Sequence, residues 1–198
     1  MKSNKFIIFL ALIINFTIFS NSQSIEPDVF VQSTVNRASA ALNNKFSKEE
    51  KINKLKNIAK ETVDIKGIGF YTLGSYRKEM NDSQKEEYAI LFEQYFLKSF
   101  SSRLAEYSNP EIEVNSKEKL NENYTMVLST LVATEQRSAV KINWRIYTKN
   151  PEKPLIRDLI IEGLSLARTQ KEEFSSIIQS NDGNINALFA TLKEFIKQ

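Results

Sequence analysis

The apolar residues of this chain change their spacing at Asn109-Pro110. Before that point they recur every three or four residues, as one face of a helix requires; after it they recur every second residue, as a half-buried strand requires. Near the carboxyl end the helical spacing returns. Helices, then consecutive strands, then helices are predicted to fold as one α+β domain with a twisted antiparallel sheet of about four strands.

The strongest helical signal runs from about Asp82 to Tyr107. Ala89, Phe92, Phe96, Phe100 and Leu104 lie mostly four residues apart, flanked by Tyr88, Tyr95 and Tyr107. Asn81 with Gln84 forms a capping box at its start. Ser47 with Glu50 forms another, ahead of Ile52, Leu55, Ile58 and Ala59. Pro27 suits a first helical position, with Val31, Val35, Ala38 and Leu42 following. Asp64 caps a shorter helix through Leu73, with Gly74 as its stop. Thr169 with Glu172, and Asn184, are predicted to open the last two helices.

Four strands are expected: a short one at Ile112 and Val114, then Thr125 to Thr134, Ala139 to Thr148 and Leu155 to Leu166. The third alternates Val140, Ile142, Trp144 and Ile146 against Lys141, Asn143, Arg145 and Tyr147. The last is apolar at both parities, which implies burial on both faces. Asp158 and Glu162 would share a face there and need a partner. Arg145 on the preceding strand is the expected counter-ion, with Arg145–Glu162 the structural pair. As an acid and base the two carboxylates would stand about 13 Å apart, too far for a glycosidase pair.

The chain has no cysteine, no histidine and five glycines. This removes disulfides, thiolate chemistry, imidazole bases, the usual zinc ligands and a Gly-rich phosphate cradle. Binding is thus favoured over catalysis, and no metal site, catalytic residue or cofactor is expected. The aromatic stripe reads as core residue by residue. Together with Phe70, Trp144 and Phe174 it is also a large set of rings for one domain, able to line an apolar ligand gap between helix and sheet.

The amino end has the form of a cleavable export signal over residues 1–22. Lys2 and Lys5 precede an apolar run from Phe6 to Phe19, and small residues follow at Ser20, Ser22 and Ser24. The run is short of the roughly 20 residues that span a bilayer. Residues 23–198 are expected to form a soluble domain. The full chain has 27 basic and 24 acidic residues, so loss of Lys2 and Lys5 leaves 25 against 24. With no basic stripe, nucleic acid is not an expected partner.

Three segments carry a family resemblance: Asp64-Ile65 with Gly69 to Tyr76, Gln84 to Tyr88 with Phe92 to Phe100, and Asp158-Leu159-Ile160-Ile161-Glu162-Gly163-Leu164-Ser165-Leu166. Together with Phe174, Gly183, Leu188 and Leu192 they resemble the MlaC family, also described as toluene-tolerance auxiliary components of an ABC transporter. Arg77 stands where the family often has Trp, and Asn81-Asp82 replaces its frequent Thr-Pro. The resemblance implies a monomeric periplasmic phospholipid carrier of the Gram-negative envelope, with bound phospholipid as cargo. Its implied partners are an outer-membrane lipoprotein–porin complex and an inner-membrane ABC transporter with an MCE-type subunit, and its implied role is outer-membrane lipid asymmetry. An adaptor that binds no lipid and a carboxylate-dependent hydrolase are the rival readings.

The acyl pocket is expected to be lined from the helices by Phe70, Leu73, Phe92, Phe96, Phe100 and Leu104. The sheet would add Trp144, Ile146, Ile160 and Leu164, and the carboxyl-terminal region Phe174 and Ile178. One bulge in a strand would exchange its inward and outward sets.

Overall fold

Capping chemistry sets the helix starts much as expected. A computed structural model describes residues 24–198, so the expected export signal lies outside the described residues. Helix α1 spans Pro27–Ala41, α2 Lys48–Thr62 and α3 Ile65–Thr72. A single 3-10 turn at Tyr76–Lys78 leads to α4, Asp82–Leu104. Both capping boxes, Ser47 with Glu50 and Asn81 with Gln84, are present. Asp64 accepts from the Gly67 amide at 2.9 Å and caps α3. The 23 residues of α4 reach about 35 Å. The helix stops three residues before Tyr107, which is exposed.

The strands are β1 Ile112–Asn121, β2 Tyr124–Leu131, β3 Val140–Tyr147, β4 Leu155–Ile161 and β5 Leu164–Ser165. They form an antiparallel meander whose spatial order is the sequence order. The sheet therefore has five strands rather than four. The expected single strand from Leu155 to Leu166 is a hairpin, because Glu162 and Gly163 both take positive φ, 48° and 84°. Two such residues form the tight turn that matches strand twist, and the chain doubles back there. Helix α5 then begins at Leu166, capped by Ser165, three residues ahead of the expected Thr169; α6 spans Ile185–Lys197.

Helix α1 lies against β1 and β2, while α3 and α5 meet β4 and the remaining helices gather on α4. Gly69 lets α3 approach α4 closely, since a Cβ there would stand 2.7 Å from the Phe92 ring. The buried apolar residues fall into three clusters. One joins α3 to α6, one joins α1 to the sheet, and a small one joins α1, α2 and the end of α4.

Candidate functional site

The aromatic stripe of α4 organises the helical cluster. Tyr88 and Phe92 are fully buried, with ring centroids 5.8 Å apart, and Phe174 of α5 meets Phe92 edge-on at 6.2 Å. Toward the end of α4, Phe96 and Phe100 stack at 5.4 Å with ring planes 10° apart, and both are only partly buried. The four-residue spacing brings these rings into register along one helix face. Offset stacking of this kind adds about 1 kcal/mol beyond area burial.

Beneath them the polar groups of Thr72, Tyr88 and Gly69 satisfy one another. The Thr72 hydroxyl donates to the Gly69 carbonyl at 2.7 Å and lies 2.8 Å from the Tyr88 oxygen. Burial pushes the Tyr88 phenol far above its usual range, and the Thr72 hydroxyl opposes that only in part. The Tyr95 phenol is raised too, first by burial and then by the neighbouring Glu173. Both phenols are neutral hydrogen-bonding groups at physiological pH.

On the sheet, Ile142, Trp144 and Ile146 pair with Ser129, Val127 and Thr125 and share their face, where they meet Val31 and Val35 of α1. The Trp144 indole donates to the Ser129 hydroxyl at 2.8 Å, so the one polar atom of the ring is satisfied.

A bulge interrupts β4: Arg145 opposes Asp158 while Ile146 opposes Ile156, leaving Arg157 as the extra residue. Asp158 is the carboxylate that meets Arg145, at 3.6 Å, not Glu162. Asp158 is 4% exposed and is satisfied by the Ser165 hydroxyl at 2.6 Å and the Ala167 amide at 3.0 Å. Glu162 lies in the hairpin turn, off the face it was expected to share with Asp158, and its carboxylate accepts from the Lys141 amide. The two carboxylates thus serve two separate structural tasks.

Helix and sheet clusters meet at Val63, which packs against both. Val63 forms a parallel bridge with Ile156, and the Asp64 amide donates to the Ile156 carbonyl at 2.9 Å. Arg157 pins this junction on the sheet. Its Nε donates to the Asp64 carboxylate at 2.6 Å, its Nη2 stands 2.6 Å from the same oxygen, and its Nη1 donates to the Tyr124 hydroxyl at 2.6 Å. Sequence reasoning singled out neither Arg157 nor Tyr124.

Seven of the twelve expected pocket residues gather in or against the helical cluster: Phe70, Leu73, Phe92, Phe96, Phe100, Phe174 and Ile178. Trp144 and Ile146 belong to the sheet cluster, and Leu104 packs on the small third one. Ile160 pairs with Asn143, on the face opposite Trp144; its neighbour Leu159 opposes Trp144 and packs in the sheet cluster. Leu164 is 61% exposed on the two-residue edge strand, outside all three clusters.

Among the described residues, two surface clefts stand out. One, about 630 Å³, lies between α1 and β1 around Gln32, Asn36 and Pro110 to Asn115, with mixed polar walls. The other, about 430 Å³, lies between α4, α5 and α6, and of the twelve residues only Phe174 lines it. Among the described residues no group of three or more carboxylates could hold a metal ion, and no helix is long and apolar enough to cross a membrane.

A family model described as MlaC protein matches residues 32–194. Among solved structures, the chain is similar to a phospholipid-binding protein from Ralstonia solanacearum in complex with a phospholipid. The TM-score is 0.73 at 19% sequence identity, covering 88% of this chain and 98% of that one, so the fold is shared.

Proposed function

Since the chain belongs to the MlaC family, we propose that it is a periplasmic phospholipid carrier. It takes lipid from one membrane complex to another: an outer-membrane lipoprotein–porin complex at one end and an inner-membrane ABC transporter with an MCE-type subunit at the other. This traffic maintains outer-membrane lipid asymmetry. Residues 1–22 direct export and are removed, and the protein acts as a monomer without catalysis.

The observation that carries this reading is the family match across residues 32–194. The fold shared with a protein holding a phospholipid adds to it. The divided core gives it a physical basis. A domain of this size ordinarily has one contiguous apolar core, whereas here the α4 rings and the sheet residues form separate clusters meeting at Val63. The seam between them is where acyl chains enter, against half-buried Phe96 and Phe100 on one side and Trp144, Ile146 and Leu159 on the other. Phe70, Leu73, Phe92, Leu104, Phe174 and Ile178 form the deeper helical wall. Ile160 and exposed Leu164 stand outside all three clusters. Each methylene removed from water contributes about 0.8 kcal/mol, so a tail binds tightly without any recognition of its headgroup. Asp158 and Glu162 serve the α5 cap and the hairpin, which leaves neither for acid–base chemistry.

Native mass spectrometry of freshly purified protein tests the reading. A carrier arrives with a phospholipid-sized mass attached and yields it to acceptor vesicles; protein that is always empty, and takes up no lipid from donor vesicles, is not one.

A further inference from the structure

The cleft between α4, α5 and α6 takes Tyr95, Lys98, Ser99, Ser102 and Arg103 from α4 and includes neither Phe96 nor Phe100. Its floor is apolar: Phe174 and Ile177 from α5, Leu192 and Phe195 from α6. Tyr95 closes one wall, its ring 5.7 Å from Phe174 and 5.0 Å from Phe195. A volume of about 430 Å³ with such walls is in the range of small-molecule sites.

The polar groups on the lining divide into those already engaged and those free. The Tyr95 hydroxyl donates to Gln170 at 2.7 Å, and the Gln170 amide donates to Glu173 at 2.9 Å, which occupies the one carboxylate of the lining. The Lys98 ammonium donates to the carbonyls of Phe195 and Ile196, both at 3.1 Å. Arg103, by contrast, has no carboxylate within ion-pair distance among the described residues. It stands one turn beyond Ser99 in the last turn of α4, at the end of the cleft. An apolar trough that ends at an unpaired guanidinium matches a molecule with one tail and one anionic head.

We propose that this cleft binds a single-chain anionic amphiphile, with the tail along Phe174, Ile177, Leu192 and Phe195 and the head at Arg103. The site shares Phe174 with the deeper wall of the proposed phospholipid pocket, and the rest of its lining is its own. A free fatty acid and a lysophospholipid share the required chemistry.

Titration of the full chain with dansyl-undecanoic acid, a fluorescent fatty acid, tests the site. Saturable, blue-shifted emission is expected. Displacement by oleate identifies a fatty-acid site, and displacement by lyso-phosphatidylglycerol alone a lysolipid site. Ile177→Asp should weaken probe binding at least tenfold by placing a charge on the apolar floor. Ser99→Phe, which fills the cleft without a charge from a part-exposed position, should do the same if the first variant folds poorly. Arg103→Gln should weaken the probe about threefold to fivefold, as an exposed ion pair would, while competition by oleyl alcohol is unchanged. The proposal fails if the probe does not bind, if all three variants bind it as wild type does, or if Phe100→Glu removes binding and Ile177→Asp does not. Native mass spectra of the same samples keep the two readings apart. Retained phospholipid with no probe binding sinks the cleft alone, and probe binding to protein that never carries phospholipid sinks the carrier alone.

Discussion

Arg157 sits over the Tyr147 ring, its guanidinium carbon 3.8 Å from the ring centroid. In that position the same guanidinium faces Asp64 across 93 residues of sequence. The aromatic ring fixes the plane of the fork, and the fork fixes the joint between α2 and α3 on the sheet. A lysine would give neither the stacking nor the rigid planar fork.

Cutting this clasp should therefore cost more than an ordinary surface pair. Asp64→Ala also removes the α3 cap, and we expect a loss of about 1–3 kcal/mol in urea melts. Arg157→Lys should lose most of the same amount. A double-mutant cycle that gives no coupling energy between the two positions would show that they act separately.

The close approach of α3 and α4 gives a second expectation. Phe92→Ala should destabilise by about 3–5 kcal/mol, as buried aromatic truncations do. Gly69→Ala should cost about 1–3 kcal/mol, since its methyl would meet the Phe92 ring. Combining them should cost less than the sum, because the truncated ring makes room for the methyl. Simple additivity in thermal or urea melts would count against direct contact.

The buried phenol of Tyr88 sets a slope at alkaline pH. An unfolded tyrosine ionises near pH 10, while the folded phenol is held neutral well beyond that by burial. Above about pH 10 the unfolded chain thus binds fewer protons than the folded one, and stability falls as pH rises. Tyr88→Phe should flatten the fall measured by urea melts between about pH 9 and 11, with Tyr95 and the ion-paired Lys117 contributing to what remains. A variant that keeps the full slope would mean that Tyr88 is not its source.

Lipid occupancy should respond unequally along the proposed pocket. Phe100→Glu puts a charge on the half-buried ring face at the seam, and bound phospholipid should be largely lost. Leu164→Glu changes a residue that is mostly in water, so fold and most of the lipid should survive. Native mass spectrometry of both variants reads the comparison directly, and equal losses would move the seam toward the β4–β5 hairpin.

Much of the frame was legible because its signals are local. Two capping boxes and the four-residue stripe mark α4 and α2, and the alternation through Trp144 marks β3 and its buried face. The hairpin after Ile161 was missed because glutamate seldom adopts positive φ, and because β4 is apolar at both parities. Gly163 was the available signal. Strand β1 was expected to be short since Ser116 to Asn121 carries no apolar alternation; pairing with β2 recruits this polar edge. For the site, the rings themselves were legible, but their division between clusters was not. The bulge at Arg157 decides which of Leu159 and Ile160 faces Trp144, and Asp64, which orients Arg157, lies 93 residues away.

Helix α1 has a consequence for the order in which the molecule assembles. Its buried residues Val31 and Val35 rest on Val127 and Leu131, and its first turn is held by Lys117, which pairs with Glu26 and Asp28. The segment synthesised first among the described residues must wait for strands that emerge some ninety residues later. Contacts at that separation are slow to form. Until the β1–β2 hairpin closes, α1 carries an uncovered apolar stripe, so the unfinished chain is most exposed to aggregation at its amino-terminal end.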